Sequence, residues 1–311
     1  LPMRPMGSRK WGGRKLQLAD IVRRMPDLVA LPSALAADWR DAAAEGIEVV
    51  GITADSRQVR HGMIFVAVPG RQDDGRRFIA DAIARGAAVV LAPTGTARVV
   101  GGRPYSFIED PEPRQRLARI AALLAGAQPM VIAAVTGTNG KTSTVEFLRQ
   151  LWAAAGRRAA SIGTLGVIAP DLANPPSNNG LTTADPVTLA QSMAALARGG
   201  VTRAAIEASS HGLDQFRLDG LKLTAGAFTN LTRDHLDYHG TMEAYREAKL
   251  RRPPEGLELP RRARLRHCFC LRGGAVRRHH EPHRGGGDPW EPRLHNTLRD
   301  LAKTRPPLLR R

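Results

Sequence analysis

An α/β fold built on a parallel sheet is the architecture this sequence predicts, from three observations. Short apolar segments rich in β-formers alternate with longer segments whose apolar positions recur every three or four residues. The segment 130–135 is apolar at every position, as expected of a strand covered on both faces. It runs directly into a glycine-rich turn and a helix, the order of elements in a βα unit.

Taken in order, residues 1–45 are weakly patterned, with one helix expected at 16–25. Segments 47–53, 63–68 and 87–91 read as strands, being short, rich in β-formers and bounded by Gly, Pro or charge. Segments 77–85 and 113–125 read as helices. Gln128–Pro129 marks a boundary. Beyond it the expected order is strand 130–135, helix 141–155, strands 158–162 and 165–168, helix 188–197, strands 201–208 and 225–229, and helix 242–250. Gly199–Gly200 supplies the stop signal of the helix at 188–197. The expected organisation is an α/β domain over 1–128, a P-loop-type parallel-sheet domain over 129–250, and an irregular basic tail over 251–311.

The 311 residues carry 46 Lys and Arg against 29 Asp and Glu, a formal charge of +17 that by itself suggests a nucleic-acid partner. Its distribution argues otherwise. The tail after Leu250 holds 15 Arg and one Lys against six acids, so +10 of the +17 lies in about a fifth of the chain, and the first 250 residues carry only +7. The tail also holds both cysteines, five of the nine histidines and eight of the 22 prolines. It shows no hydrophobic period beyond a short helical segment at 294–301. Three readings stay open: a basic arm for nucleic acid, a disordered tail, or the out-of-frame translation of a GC-rich gene, which over-produces Arg, Pro, Gly, His and Ala. The spacing of Cys268, Cys270 and the nearby histidines matches no standard zinc motif. No apolar run reaches the roughly 18 residues of a spanning helix, and the basic start lacks the apolar core of a secretory signal, so no membrane association and a cytoplasmic location are expected.

The strongest chemical signal is Gly137-Thr-Asn-Gly-Lys141-Thr142 between an apolar strand and a helix. Glycines let backbone N–H groups turn inward on phosphate oxygens, and the following helix presents its positive end. Lys141 would supply a point charge to the β- and γ-phosphates, and the Thr142 hydroxyl a ligand for Mg²⁺. The first glycine of the commonest form of this loop would fall at Val135, so the loop is a shorter variant. Glu207 ends the strand at 201–208, where ligands bind in parallel sheets, and is placed to be a second Mg²⁺ ligand. The next strand ends in Asn230-Leu-Thr-Arg-Asp-His235-Leu-Asp-Tyr-His-Gly240. His235 is a candidate metal ligand oriented by Asp234 or Asp237. For His211 and His239 a binding role and an ordinary surface role stand level. Lys249 by its residue type alone is a solvated helical lysine.

Together these segments resemble the Mur ligases, and among them the MurE-type UDP-N-acetylmuramoyl-dipeptide ligases. The resemblance rests on Thr136-Gly-Thr-Asn-Gly-Lys-Thr142, Glu207-Ala-Ser-Ser-His-Gly-Leu-Asp-Gln-Phe-Arg217, Thr229-Asn-Leu-Thr-Arg-Asp-His-Leu-Asp-Tyr-His-Gly240, and Asp55-Ser-Arg57 with Gly70-Arg-Gln-Asp-Asp-Gly75, and covers roughly 15–250. It implies an N-terminal UDP-sugar-binding domain and an ATPase domain. It implies that Ser56, Arg71, Gln72 and Asp73 bind the UDP-sugar end, and that Thr182, Thr183, Ser209, Gln215 and Arg217 hold the muramoyl-peptide. Gly137, Thr138, Asn139, Gly140, Lys141, Thr142 and Ser143 would hold ATP. Thr142, Glu207 and His235 would place Mg²⁺, and Lys249 matches a lysine that is carbamylated in the family and then helps position a second Mg²⁺. Lys141, Glu207, His235 and Lys249 form the implied catalytic set.

The implied partners are UDP-N-acetylmuramoyl-L-alanyl-D-glutamate and a diamino acid, meso-diaminopimelate or lysine. The implied reaction activates the substrate carboxylate as an acyl phosphate and then forms an amide in peptidoglycan synthesis. Folylpolyglutamate synthase is a rival within the same ligase class, against which the segments at 207–217 and 229–240 argue. Leu181 replaces an Asn found in many relatives before the paired threonines, and Arg71 sits at a variable position. The family continues past the modified lysine with more of the ATPase domain and a C-terminal domain, which nothing in 251–311 resembles. The resemblance therefore implies a truncated or frameshifted chain, with an incomplete ATPase sheet whose last strand has an exposed edge. The alternative function is a fragment that binds nucleotide or UDP-sugar without turnover.

Overall fold

A computed structural model describes residues 14–70, 73–99, 106–176 and 180–251, together with the backbone of Phe269–Arg272 and Ala275–Arg278. The expected substrate residues Arg71 and Gln72 and the short helix at 294–301 lie outside the described residues.

The chain enters as a two-residue strand, β1 (Leu16–Gln17), antiparallel to β2 (Glu48–Val49). Helix α1 (Leu18–Arg23) is therefore shorter than the 16–25 pattern suggests, because its first two residues are used in pairing. Helix α2 (Ser33–Ala44) was not expected from the sequence. Its buried face is Ala36, Trp39, Ala42 and Ala43, so the apolar stripe is mostly alanine and gives a weak periodic signal. A parallel sheet follows in the order β3 (Gly51–Thr53), β4 (Met63–Val66), β5 (Ala87–Pro93) and β6 (Phe107–Asp110). Helices α3 (Ile79–Ala84), α4 (Thr96–Val99) and α5 (Pro113–Ala125) complete this part. Side chains of β4 alternate between the faces, as a period of two requires. Ile64 and Val66 join the core under α1, α2 and α5, while Phe65 and Ala67 join the core under α3.

One polar network is built into the first of these cores. Asp110 and Arg116 are buried. Asp110 accepts from Arg116 Nε at 2.7 Å, from Trp39 Nε1 at 3.3 Å and from the Glu112 N–H at 2.8 Å. Arg116 and Arg119 both also reach Asp27.

The second sheet begins with β7 (Val131–Thr136) and α6 (Lys141–Ala154). Strands β8 (Ala159–Gly163) and β9 (Gly166–Ile168) form a tight antiparallel pair. Helix α7 (Pro186–Arg198) starts earlier than its apolar period suggests. Asp185 caps it by accepting from the Val187 and Thr188 N–H groups, and Pro186 occupies its first turn. Then come β10 (Arg203–Glu207), α8 (Ser210–Asp214), β11 (Ala225–Phe228), α9 (Leu236–His239), α10 (Met242–Leu250), β12 (Phe269–Arg272) and β13 (Ala275–Arg278). The strand order is β13-β12-β11-β7-β10-β8-β9, with β12, β11, β7, β10 and β8 mutually parallel.

Two differences from the sequence reading concern the tail. It was expected to be irregular, and its backbone forms two four-residue strands. The edge of β11, expected to lie open, pairs with β12 through Ala227 and Phe269 and through Phe228 and Cys270. The physical reason is that a strand edge offers unpaired N–H and C=O groups to any extended segment, and Phe269-Cys-Leu271 and Ala275-Val276 are composed of residues suited to a strand.

The register decides where chemistry can occur. Glu207 pairs with Val135, and Phe228 pairs with Thr136. The three loops that leave β7, β10 and β11 thus emerge side by side at the carboxyl edge of the sheet, where ligands bind in folds of this class. Among the described residues no helix is long and apolar enough to cross a membrane.

Candidate active site

The loop after β7 has a backbone that only glycine allows at its first position. Gly137 has φ +138°, and a Cβ there would overlap Thr229 Oγ1. Gly140, at φ +81°, turns the chain into α6. The loop after β11 braces it from the side. Asn230 O accepts the Thr138 N–H at 2.9 Å, and Asn230 Oδ1 accepts the Asn139 N–H at 3.0 Å. Thr229 Oγ1 donates to Asn139 O at 2.6 Å. Thr142 and Ser143 open α6, with Thr142 half-buried and Ser143 exposed.

Two lysines meet on this loop. Lys141 Nζ donates to Gly137 O at 2.9 Å and to Thr138 O at 2.8 Å. Lys249, buried on α10, donates to the same Gly137 O at 2.8 Å. Burial lowers the Lys249 pKa to about 8, with the Lys141 charge adding to the shift and Asp234 opposing it. Burial also lowers Lys141, against the pull of Glu207 and Asp234. The aromatic face of Tyr245 lies 4.5 Å from Lys249 Nζ.

Glu207 is 1% exposed at the end of β10. Its Oε1 accepts the Thr164 N–H at 2.8 Å and its Oε2 the Thr164 hydroxyl at 3.3 Å. Gly163 leaves room for the carboxylate, since a Cβ there would overlap Oε1. His235, at φ +50°, starts α9 with an exposed ring 3.5 Å from Asp234 Oδ2. It belongs to an aromatic cluster in which His211 lies 4.9 Å from His235, 4.0 Å from Tyr238 and 5.6 Å from His239, measured between ring centroids. Burial, then the charges of His235, His239 and Arg217, lower the His211 pKa.

Among the described residues no group of three or more His, Cys, Asp and Glu is arranged to hold a metal. The fit to Mg²⁺ rests on oxygen donors: the Glu207 carboxylate, the Thr142 hydroxyl, and the buried Thr136 Oγ1, which has no hydrogen-bond partner. Lys249 as an ammonium is a donor to Gly137 O and not a ligand; only a carbamate on Nζ would offer oxygens to a cation.

The residues expected to hold the muramoyl-peptide gather around Thr183. Its hydroxyl donates to Glu207 O at 2.9 Å and accepts the Ser209 N–H at 2.9 Å, and its own carbonyl accepts Arg217 Nη1 at 2.7 Å. Arg217 Nη2 also reaches Gln215 Oε1 at 2.7 Å, and Gln215 Nε2 reaches Tyr238 Oη at 3.1 Å. Thr182 lies 3.2 Å from Thr164 through their hydroxyls. Ser209 Oγ is turned to cap α8 by accepting the Gly212 N–H at 3.0 Å. In loops of the N-terminal part Ser56 is buried, with its hydroxyl on the Asp81 carboxylate, while Asp73 is exposed and its carbonyl accepts the Gly70 N–H at 2.8 Å.

Residues 48–124 match the Mur ligase family, catalytic domain, and residues 135–251 match the Mur ligase middle domain. The chain belongs to the Mur ligase family over residues 48–251. It is 56% identical over 205 residues to the UDP-N-acetylmuramoyl-L-alanyl-D-glutamate--2,6-diaminopimelate ligase of Rhizobium meliloti, a match covering 66% of this chain and 41% of that protein. The ligase of the same name from Brucella melitensis is 53% identical over the same shares. A solved structure of a ligase with that name superposes with a TM-score of 0.56 at 37% identity, covering 65% of this chain and 40% of the other. The chain thus spans about two-fifths of the length of the curated Mur ligases it matches.

Sequence reasoning missed several residues that build this Mur ligase site. Thr164 holds Glu207, and Thr229 and Asn230 brace the loop, but each contact spans more than 40 positions and leaves no local pattern. Tyr245 had a legible signal: it lies one helical turn before Lys249, so the two share a face of α10.

Proposed function

We propose that residues 48–251 bind and activate the substrates of an ATP-dependent ligase that adds a diamino acid, meso-diaminopimelate, to UDP-N-acetylmuramoyl-L-alanyl-D-glutamate in peptidoglycan synthesis. The observation that carries this reading is the phosphate loop whose Gly137 carbonyl takes both Lys141 and Lys249, one strand away from the buried carboxylate Glu207. The names of relatives near 50% identity support the choice of substrates.

In this reading Gly137 to Ser143 receive the ATP polyphosphate. Lys141 exchanges its contacts with the loop carbonyls for the β- and γ-phosphate oxygens. Thr142, Glu207, His235 and carbamylated Lys249 hold Mg²⁺, which when bound offsets charge on the transferring phosphoryl group. Ser56, Arg71, Gln72 and Asp73 take the UDP-sugar end. Thr182, Thr183, Ser209, Gln215 and Arg217 hold the peptide so that its terminal carboxylate faces the γ-phosphate. The carboxylate attacks the γ-phosphorus of ATP, ADP leaves and an acyl phosphate forms; the amine of the incoming amino acid then displaces phosphate, losing a proton, to form the amide. These residues contribute mainly by positioning. The setting is the cytoplasm.

A second reading is binding of nucleotide or UDP-sugar without turnover. One experiment separates them. Purified chain is titrated with ADP and with UDP-N-acetylmuramoyl-L-alanyl-D-glutamate, then supplied with ATP, Mg²⁺ and diaminopimelate while phosphate release and tripeptide product are followed. Product formation supports the ligase, saturable binding without product supports the second reading, and binding of neither ligand overturns both.

A further inference from the structure

Tyr245 is wholly buried on α10, and its hydroxyl reaches the phosphate loop. Its Oη lies 3.1 Å from Thr138 Oγ1. That hydroxyl also donates to Thr232 O at 3.1 Å and accepts the Thr232 N–H at 3.0 Å. A threonine hydroxyl has one proton and two lone pairs. With the proton on Thr232 O and one lone pair on the Thr232 N–H, the remaining lone pair takes the Tyr245 O–H. Tyr245 is therefore the donor, and every valence of Thr138 Oγ1 is filled. Burial raises the Tyr245 pKa, which keeps that proton in place.

Thr138 is a sensitive place to hold the loop. It follows Gly137, whose carbonyl takes both lysines, and precedes Asn139, whose carbonyl accepts from Thr229. The Tyr245 ring at the same time lies against Lys249 one turn further along α10. A single buried side chain so links the loop that would receive the polyphosphate to the lysine beside it.

We propose that Tyr245 is a positioning residue for nucleotide binding: its hydroxyl clamps Thr138 so that the loop N–H groups stay aimed at a polyphosphate, and its ring seats Lys249 beside them. The nucleotide part rests on the ATP-site reading given above; the clamp on the loop does not. Tyr245→Phe removes the hydroxyl and keeps the ring.

The test uses the full chain and compares wild type, Tyr245→Phe, Thr138→Ser, Thr138→Val and the Tyr245→Phe/Thr138→Val double variant. Hydrogen exchange of the 137–142 amides is measured without nucleotide, with the amides of β4 as a remote reference, and ADP affinity is measured by calorimetry. Loss of one net hydrogen bond is expected to speed loop exchange by roughly fivefold in Tyr245→Phe and to weaken ADP by about three- to tenfold, leaving β4 unchanged. Thr138→Ser keeps the hydroxyl that Tyr245 holds and so keeps the slow loop exchange of the wild type. In the Thr138→Val background the Tyr245 substitution adds nothing, because the pair acts as one unit. Wild-type exchange in Tyr245→Phe, or additive effects of the two substitutions, overturns the proposal. Faster loop exchange in a chain that binds no ADP upholds the clamp and refutes the nucleotide reading. Should Tyr245→Phe not fold, Thr138→Val against Thr138→Ser decides the same question from the other partner: equal loop exchange in the two overturns the clamp.

Discussion

Lys141 and Lys249, 108 positions apart, donate to one acceptor, the carbonyl oxygen of Gly137, at 2.9 and 2.8 Å. Two ammonium groups on one oxygen repel each other, and burial removes the water that would screen them. The site is thus charged with positive potential before any ligand arrives, and Lys249 is the group that yields.

The first prediction is a pH dependence of stability. In the unfolded chain Lys249 keeps its proton to the ordinary value of 10.5, and in the folded chain only to about 8. Between these values the unfolded state binds more protons, so stability rises with pH from about 8 to 10.5; below 8 the full penalty persists. At about 1.4 kcal/mol per unit the gain is at most roughly 3 kcal/mol. Urea midpoints measured across this range should climb for the wild type and stay flatter for Lys249→Met.

The same depressed value leaves more of the amine neutral near pH 8, and only the neutral form attacks CO₂. Protein equilibrated with ¹³C-bicarbonate near pH 8 is expected to show a carbamate carbon resonance that Lys249→Arg lacks. An identical spectrum from the two proteins would rule out modification at this lysine.

Gly137 and Gly226 make a matched pair of substitutions. Alanine at Gly137 must adopt φ +138° and displace Thr229, whereas nothing lies within 4 Å of a Cβ at Gly226. Gly137→Ala should cost on the order of 2–4 kcal/mol and abolish ADP binding, and Gly226→Ala should be tolerated. Thermal unfolding with ADP titration checks both.

Glu207→Gln addresses the cation. The amide oxygen can still accept the Thr164 N–H, so the fold is expected to survive, but the charge is lost. Mg²⁺ should then no longer strengthen ATP binding, while affinity measured in excess chelator changes less than twofold. Retention of the full Mg²⁺ effect would remove Glu207 from the ligand set.

Away from the site, Arg116→Met leaves Asp110 buried with its strongest partner gone and should destabilise by about 3–5 kcal/mol. Arg119→Met, whose partner Asp27 keeps 30% of its side chain exposed, should cost below about 1 kcal/mol. Denaturant midpoints distinguish the two.

Much of the fold was legible along the chain. Helices α5 and α10 span the residues their periods predict, and the apolar run ending at Thr136 and the glycines at 137 and 140 announce a strand, a turn and a helix. Helix α2 escaped because alanine carries little hydrophobic contrast, and β12 because an isolated apolar triplet, Phe269 to Leu271, looks like any coil.

The sequence by itself determined the local elements and the residue types able to meet a phosphate, because propensity, period and turn chemistry act between near neighbours. Tertiary structure alone decided which of them meet. Placing β7 between β10 and β11 brings Glu207, Thr229 and Asn230 to the loop after Thr136, and packing α10 against that loop turns Lys249 from a solvated helical lysine into a buried one on Gly137 O. Strand order and register act between residues far apart in sequence, so no pattern of spacing records them.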